Sequence, residues 1–293
     1  MQHPFLRNDA LLADIAGAPT DTVAIWWLGQ STFLVKSAVG SLLFDPYLSE
    51  SLSKKYATSD KPHVRMTELV IDPARLGFID VATSTHNHTD HLDGETLIPL
   101  MNANPDLQLV IPEANRAFVA DRLQCASDWP VGMSDGDTRK VGPYTFTAVP
   151  AAHETIDRDD EGRCHYLGYV VDVGGVVVYH SGDTLLYASM ADTLRPFNID
   201  VAILPINGRD PARRVAGNLN GEQAATLAND IGAGIVIPCH YDMFEFNTAS
   251  PKRFVQTCKS LGQPCCVLQN GERWDGQTNQ GQTNQEDGGR RCR

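Results

Sequence analysis

The most constraining feature of this sequence is a histidine-rich stretch, STHNHTDHLDG, at residues 84–94. It places three of the chain's nine histidines within six positions, with a carboxylate among them: His86, His88, Asp90 and His91. Neutral imidazoles and a carboxylate are ordinary ligands of a metal ion, whereas core or surface histidines are usually scattered. The stretch therefore predicts a metal site, and the alternative is a polar surface loop.

Three further candidate ligands follow predicted strands in the same way. His153 ends YTFTAVPAAH, Asp183 follows the run YLGYVVDVGGVVVYH, and His240 ends AGIVIPCH. Because ligand-binding groups converge where the strands of layered sheets end, these side chains are expected to meet the histidine stretch. Taken singly, each could instead stabilise a loop. Seven ligands exceed the need of one tetrahedral ion, so the sequence predicts a pair of ions.

The order of predicted elements indicates the fold class. Strands come first, at residues 22–49, and strands then alternate with helices. This order predicts an α+β fold in which two packed sheets carry helices outside, a four-layer αββα sandwich. Asp93 is expected to cap the helix GETLIPLM, and PCCVLQ is expected to form the last strand. Trp26 and Trp27 are predicted core residues, one ring on each face of their strand.

The domain organisation follows from composition. No linker-like stretch interrupts residues 1–273, which we predict to form a single domain. Residues 274–293 repeat GQTNQ and contain almost no apolar side chains, so they are predicted to be a disordered tail. Residues 51–68 are polar and irregular, which predicts either a mobile loop beside the site or an exposed connector.

Charge and cysteine usage narrow the partners and the location. The chain has 36 acidic and 24 basic residues, a formal net charge of −12 that disfavours nucleic acid as a partner. It lacks an apolar run of about 18 residues, so no membrane-spanning helix is expected. Residues 1–19 lack a basic segment followed by an apolar run, so no secretory signal is expected.

Seven irregularly spaced cysteines, including the vicinal pair Cys265–Cys266, indicate mostly reduced thiols in a cytoplasmic protein.

The candidate ligands together resemble a known superfamily. The string H-x-H-x-D-H at residues 86–91, followed in order by His153, Asp183 and His240, is similar to the metallo-β-lactamase signature over about residues 22–270. The stretches WLGQSTFLVKS, YHSGDTLLY and VIPCHYDMFEFNTASP resemble the L-ascorbate-6-phosphate lactonase-like group. That group's pattern does not clearly present a histidine at position 153, so the chain is nearer there to the generic dinuclear pattern.

The resemblance implies the metallo-β-lactamase fold and a division of ligands between two divalent cations. The first cation would be held by His86, His88 and His153. The second would be held by Asp90, His91 and His240, with Asp183 bridging both. Histidine and carboxylate ligands suit zinc, manganese or iron; zinc is usual in the superfamily and manganese in the lactonase-like group. Cys239 is expected to point away from the site, because side chains alternate along a strand.

Such a site predicts a metal-dependent hydrolase. Two cations that share a water lower its pKa from 15.7 toward about 7, which supplies a bridging hydroxide at neutral pH. Asp90 is the predicted catalytic side chain, which orients the hydroxide or carries a proton to the leaving group. The predicted substrate is a small lactone or ester, or a sugar-phosphate lactone. The alternatives are a phosphodiesterase or nuclease of the same fold, and a metal-binding scaffold without catalysis.

Residues around the ligands have two interpretations each. His165 is either a substrate contact or a surface histidine. Arg209, with its neighbours Arg213 and Arg214, either clamps an anionic small-molecule substrate or is solvated.

The resemblance suggests that Asp45 is a carboxylate that supports the histidine loop, and the alternative is an ordinary turn residue. His180 is expected to be buried beside the ligands without direct chemistry, and His63 is expected at the surface. The sequence does not determine the oligomeric state, and a homo-oligomer is one of the alternatives.

Overall fold

Two β-sheets pack face to face in this protein, and helices cover the outer face of each. The structure is a computed structural model that describes residues 1–276. The predicted α+β arrangement of four layers, αββα, is confirmed. No helix within the described residues is both long enough and apolar enough to cross a membrane.

The first sheet contains seven strands: β1 (Ala24–Gly29), β2 (Thr32–Ser37), β3 (Gly40–Phe44), β4 (Val81–Thr83), β5 (Gln108–Pro112), β6 (Val131–Met133) and β13 (Arg273–Trp274). Their order is β13-β1-β2-β3-β4-β5-β6. The strands from β13 to β3 pair antiparallel, and those from β3 to β6 pair parallel. Three helices cover its outer face: α1 (Asn8–Gly17), α3 (Gly94–Ala103) and α4 (Arg116–Leu123). A short helix, α2 (Ser51–Lys55), follows β3.

The second sheet contains six strands: β7 (Thr138–Val141), β8 (Tyr144–Pro150), β9 (Leu167–Asp172), β10 (Val177–His180), β11 (Val201–Pro205) and β12 (Ile235–Cys239). Their order is β12-β11-β10-β9-β8-β7. Strands β7 to β10 pair antiparallel and β10 to β12 pair parallel. Helices α5 (Met190–Leu194), α6 (Gly221–Asp230) and α7 (Lys252–Leu261) pack against this sheet.

Neighbouring tryptophans show how one strand serves two cores. Trp26 packs with Leu11 of α1 on the outer face of the first sheet, whereas Trp27 joins the core between the sheets. Both side chains are fully buried, and their opposite directions follow from alternation along β1. The prediction for this pair is confirmed. The inner core fixes the two sheets relative to each other, and with them the strand ends that carry the candidate ligands.

Two local predictions were wrong. Asp93 lies at the N-cap position of α3, but its carboxylate accepts hydrogen bonds from the hydroxyls of Ser49 and Thr96, both at 2.6 Å, instead of from a helix N–H. The stretch PCCVLQ makes only a single bridge, between Cys265 and Val236, because the chain then leaves β12.

The final strand of the described chain is β13, at residues 273–274. The sequence analysis assigned Trp274 to the disordered tail, which is wrong for this residue. Trp274 pairs with Ile25 and is 5% exposed, because its indole packs in the core between the sheets. Residues 277–293 of the predicted tail lie outside the described residues.

Neither a mobile loop nor an exposed connector describes the whole segment at residues 51–68. It begins with α2, and its end is buried: Arg65 is 7% exposed and donates to the carbonyl oxygens of Ser49 and Thr67, at 3.0 and 2.7 Å. His63, expected at the surface, is half-buried and stacks on Tyr56 with 4.2 Å between ring centroids.

The cysteine prediction holds for five positions, which are free thiols: Cys125, Cys164, Cys239, Cys258 and Cys265.

Candidate metal centre

Side chains that follow four strands meet at one place between the sheets. His86 comes after β4, His153 after β8, Asp183 after β10 and His240 after β12. Three groups have ligand atoms that all lie within 4.8 Å of one another: His86, His88 and His153; His86, His91 and Asp183; and Asp90, His91 and His240. These groups contain all seven residues that the sequence nominated as ligands.

Asp183 lies at the centre of the assembly. Its Oδ1 is 3.4 Å from His91 Nε2, and its Oδ2 is 3.7 Å from His153 Nε2 and 3.2 Å from His240 Nε2. The Asp183 carboxylate therefore faces His153 of the first ligand group and His240 of the third. This is the position that a ligand shared by two cations requires.

Three of the histidine rings are held by their Nδ1 atoms. His91 Nδ1 is 2.7 Å from Asp45 Oδ2, His153 Nδ1 is 2.9 Å from the carbonyl oxygen of Gly217, and His86 Nδ1 is 3.1 Å from the Thr85 hydroxyl. A metal-ligating histidine ordinarily donates its other ring N–H to such a partner, which fixes the ring and leaves one nitrogen lone pair for the ion.

Three of the ligand atoms that face inward lack hydrogen bonds. His86 Nε2, His91 Nε2 and Asp183 Oδ1 are buried without a hydrogen-bond partner among the described residues. Buried polar atoms are nearly always paired, since leaving one unpaired costs about 1–3 kcal/mol. Divalent cations between these atoms would satisfy them, so the residues present fit a metal centre. The donor set, imidazole and carboxylate, is compatible with zinc, manganese or iron.

The histidines of the first group are neutral near pH 7. Burial lowers the pKa of His86 well below its ordinary value and also lowers the pKa of His153. Neighbouring residues desolvate the His88 imidazole and lower its pKa to about 4, although His88 is an exposed residue. Neutral imidazole is the form that binds a cation, so these three side chains need no change of protonation.

The residues around Asp183 have the opposite electrostatics. Burial lowers the pKa of His240, but the carboxylates of Asp183 and Asp90 outweigh burial and raise it to about 9. The same two carboxylates raise the pKa of His91. Burial raises the pKa of both carboxyl groups, yet the nearby imidazoles hold each pKa below its usual range. Two ionised carboxylates therefore favour positive charge here, whether protons or a cation supply it.

Asp45 supports the histidine loop, as the resemblance suggested. The side chain is fully buried, and its Oδ1 accepts from the Thr83 hydroxyl at 2.8 Å and from Thr85 N–H at 3.0 Å. Its Oδ2 accepts from the Thr85 hydroxyl and from His91 Nδ1. Asp45 thereby ties β4 to the ring of a candidate ligand.

Two residues beside the ligands behave as predicted. His180 is buried, bonds through Nε2 to the carbonyl oxygen of Ser31 at 2.9 Å and stacks on Phe44 with 4.9 Å between centroids. It belongs to none of the three ligand groups. Cys239 is buried and is likewise absent from them.

The predicted arginine clamp is engaged elsewhere. Arg209 forms an ion pair with Glu154 at 2.8 Å, and Arg214 forms one with Asp60 at 2.6 Å. Arg213 donates to the carbonyl oxygens of Asn207 and Thr248. Each guanidinium group thus has protein partners, and the carboxylate of Glu154 balances the charge of Arg209.

Sequence reasoning singled out His165 and missed its neighbour. His165 Nδ1 is 3.0 Å from Asn115 Oδ1. The Tyr166 ring instead lies beside the first ligand group, with centroids 5.1 Å from His86 and 5.6 Å from His153. Both residues lie in a bend directly before β9, where the sequence does not indicate which of the two side chains lies beside the ligands.

Gln30 is the other residue that sequence reasoning missed. Its Nε2 lies 2.8 Å from Asp90 Oδ2 and 3.0 Å from His240 Nε2. The only signal in the sequence is its position after Gly29, between two predicted strands. That position marks a turn and does not indicate which way the side chain points.

Comparisons with known proteins agree with this geometry. Residues 41–241 match the family profile described as "Beta-lactamase superfamily domain". A "UPF0173 metal-dependent hydrolase" of Alkaliphilus metalliredigens is 30% identical over 240 residues, covering 80% of this chain and 93% of the relative. One of Methanosarcina mazei is 28% identical over 235 residues, covering 78% of this chain and 88% of the relative.

Solved structures share the fold. The metallo hydrolase Igni18 of Ignicoccus hospitalis superposes with a TM-score of 0.63 at 24% identity, covering 88% of this chain and all of that chain. The metallo-β-lactamase fold protein YhfI of Bacillus subtilis superposes with a TM-score of 0.60 at 19% identity, covering 87% and 99%. The family match and these relatives show that the chain belongs to the metallo-β-lactamase superfamily, as a metal-dependent hydrolase of the UPF0173 family.

Proposed function

We propose that this protein uses two divalent cations to hydrolyse a small ester, with a lactone as the substrate class. The observation that carries the proposal is the meeting of seven ligand side chains in three overlapping groups. Three of their inward-facing atoms, His86 Nε2, His91 Nε2 and Asp183 Oδ1, are buried without a hydrogen bond, as expected of a site prepared for cations.

The first cation would be held by His86, His88 and His153. The second would be held by Asp90, His91 and His240, and Asp183 would contact both. Two cations held there would supply a water of lowered pKa at neutral pH and would polarise the ester carbonyl.

Asp90 is the residue to which we assign proton transfer. Its pKa is held below the usual range by His91 and His240, against the effect of burial, so the carboxylate is ionised. It is 16% exposed, and His88 is the exposed member of the first group, so both face the solvent side. From there Asp90 can orient the attacking water, accept the proton that the water loses as it attacks the carbonyl carbon, and pass it to the alkoxide that leaves when the lactone C–O bond breaks.

The surroundings favour a substrate without a strongly charged recognition group. The nearby arginines are paired with Glu154 and Asp60 or with carbonyl oxygens. A sugar-phosphate lactone would meet, at Arg209, a guanidinium group whose charge Glu154 already balances. Tyr166, beside His86 and His88, offers an aromatic face to the carbon skeleton of a lactone.

The test combines metal analysis with two substrate classes. Protein purified without added metal is analysed for bound metal, then loaded and assayed on lactones and on bis-p-nitrophenyl phosphate. We expect two cations per chain and lactone turnover, and Asp90→Ala should lower turnover by about 100-fold or more. Asp106→Ala, at an exposed aspartate outside the ligand groups, is the matched control and should leave turnover unchanged.

Three results would contradict the proposal. Fewer than two cations per chain would exclude the dinuclear site. Turnover of the phosphodiester without the lactones would indicate a phosphodiesterase. Full cation loading with turnover of neither class would indicate a scaffold without catalysis.

A further inference from the structure

Gln30 reaches the second ligand group from the turn between β1 and β2. It is 1% exposed. Its amide nitrogen lies 2.8 Å from Asp90 Oδ2 and 3.0 Å from His240 Nε2, two atoms that are themselves 3.5 Å apart. One side chain therefore touches two of the three proposed ligands of the second cation.

The backbone of Gln30 holds the same ligand from another side. Its carbonyl oxygen accepts a hydrogen bond from the N–H of His240 at 3.0 Å and one from Trp27 Nε1 at 2.9 Å. The side chain and the main chain of Gln30 thus both contact His240. Trp27 lies in the core between the sheets, so these contacts link the ligand to the rigid part of the fold.

The backbone conformation indicates that this contact is specified. Gln30 has φ of 51° and His240 has φ of 62°, both in the left-handed region that side chains other than glycine rarely adopt. Such conformations persist where the surrounding structure over-determines them, and they cluster at functional sites. The hydrogen bond between the two residues joins these two unusual turns directly.

The direction of the amide is fixed by Asp90. A carboxylate only accepts hydrogen bonds, so the –NH₂ group must face it, and turning the amide over would place Oε1 against a negative charge. The amide also faces His240 Nε2, the atom that would bind the cation, so with a cation in place the amide keeps Asp90 Oδ2 and the carbonyl oxygen of Gln30 keeps the N–H of His240. Gln30 Oε1 is buried without a partner among the described residues, so the side-chain hydrogen bonds of Gln30 all go to candidate ligands.

We propose that Gln30 is a positioning residue for the second cation, which holds Asp90 through the amide hydrogen bond to Oδ2 and His240 through the hydrogen bond from its backbone N–H. This rests on the proposed function, since it needs a cation at Asp90, His91 and His240. A supporting residue of this kind acts on affinity through the ligands that it orients, and its loss typically weakens metal binding by about 10–100-fold.

The test is a cation titration of Gln30→Met. Methionine keeps the length and unbranched shape of glutamine but has no amide hydrogens. Zn²⁺ and Mn²⁺ are titrated against a competing chelator, and His240→Ala identifies the step at which the second cation binds. We expect the Kd of the second cation to rise by about 10–100-fold while the Kd of the first is unchanged.

Gln263→Met is the matched control. Gln263 is also buried, at 7% exposure, and donates to the carbonyl oxygens of Ala233 and Pro264 at 3.0 Å, outside the ligand groups. This variant should bind both cations like the parent. Thermal unfolding of both variants without metal measures what each loses in stability.

The outcomes separate this inference from the proposed function. Parent affinity for both cations in Gln30→Met would overturn the inference alone. An equal loss at both sites, matched by Gln263→Met, would also overturn it, because the role of Gln30 would then be in folding. A parent chain that binds fewer than two cations would overturn the proposed function and the inference together.

Discussion

Replacing Asp45 by asparagine should weaken cation binding at His91 and leave the protein folded. Asp45 Oδ2 accepts the Nδ1 proton of His91 at 2.7 Å, which leaves His91 Nε2 buried, without a hydrogen bond and ready for a cation. Asp45 has φ of 41°, in the left-handed region. Asparagine tolerates that conformation as aspartate does, whereas alanine would add backbone strain.

The size of the effect follows from the four hydrogen bonds that the Asp45 carboxylate accepts. The one oxygen of asparagine would continue to accept from the Thr83 hydroxyl and from Thr85 N–H. Its –NH₂ group would then face His91 Nδ1, which must become an acceptor, and the ring proton moves to Nε2. That proton occupies the atom that the cation needs. Loss of such a support lowers metal affinity by about 10–100-fold, or about 1.4–2.8 kcal/mol at about 1.4 kcal/mol for each tenfold.

The assay is a chelator-competed cation titration of the parent and of Asp45→Asn, with thermal unfolding as the check on folding. Asp80→Asn is the matched control, because Asp80 accepts from Ser41 N–H at 2.8 Å and belongs to none of the ligand groups. Parent affinity in Asp45→Asn would refute the reasoning, since it would show that Asp45 does not determine which nitrogen of His91 carries the proton.

Two further predictions follow from the site and the core. Lowering the pH from about 8 to about 5 should release the second cation before the first, as measured by metal retained after gel filtration. The reason is that the pKa of His240 is raised to about 9, so protons compete with the second cation at a higher pH than with the first, where the pKa of His88 is lowered to about 4; earlier loss of the first cation would contradict this. Phe44→Ala should lower the free energy of unfolding by about 3–5 kcal/mol in denaturant titration, because Phe44 is fully buried between the sheets and stacks on His180. A loss below about 1 kcal/mol would mean that the core closes around the cavity.

The candidate ligands could be predicted because each one follows a hydrophobic run. The ends of β4, β8, β10 and β12 are visible in the sequence as changes from apolar to polar residues, and parallel strands end on the same side of a sheet. Ligand identity and strand order therefore place these side chains together without knowledge of the packing. The same reasoning explains why Asp45, directly after β3, was noticed.

The supports of the site could not be predicted in the same way. Whether His165 or Tyr166 lies beside the ligands depends on the course of the bend before β9, which no periodic pattern describes. The engagement of Arg209 depends on Glu154, 55 residues earlier in the chain, where no periodic pattern links the two. Contacts of this kind are made by tertiary packing, which overrides local preference.

Three non-glycine residues with left-handed backbone explain how the strands deliver their side chains. Asp45 follows the last residue of β3, Gln30 follows that of β1, and His240 follows that of β12, with φ of 41°, 51° and 62°. A left-handed residue at a strand end breaks the alternation, so its side chain need not continue the pattern of the strand. Sequence reasoning expects glycine where φ is positive, and glycine would relieve strain of about 1–3 kcal/mol at each position. Glycine cannot ligate a cation, orient an imidazole or hold a carboxylate, so a chain selected for stability alone would be expected to carry it at these positions. Their occupation by aspartate, glutamine and histidine is therefore independent support for a site at these strand ends.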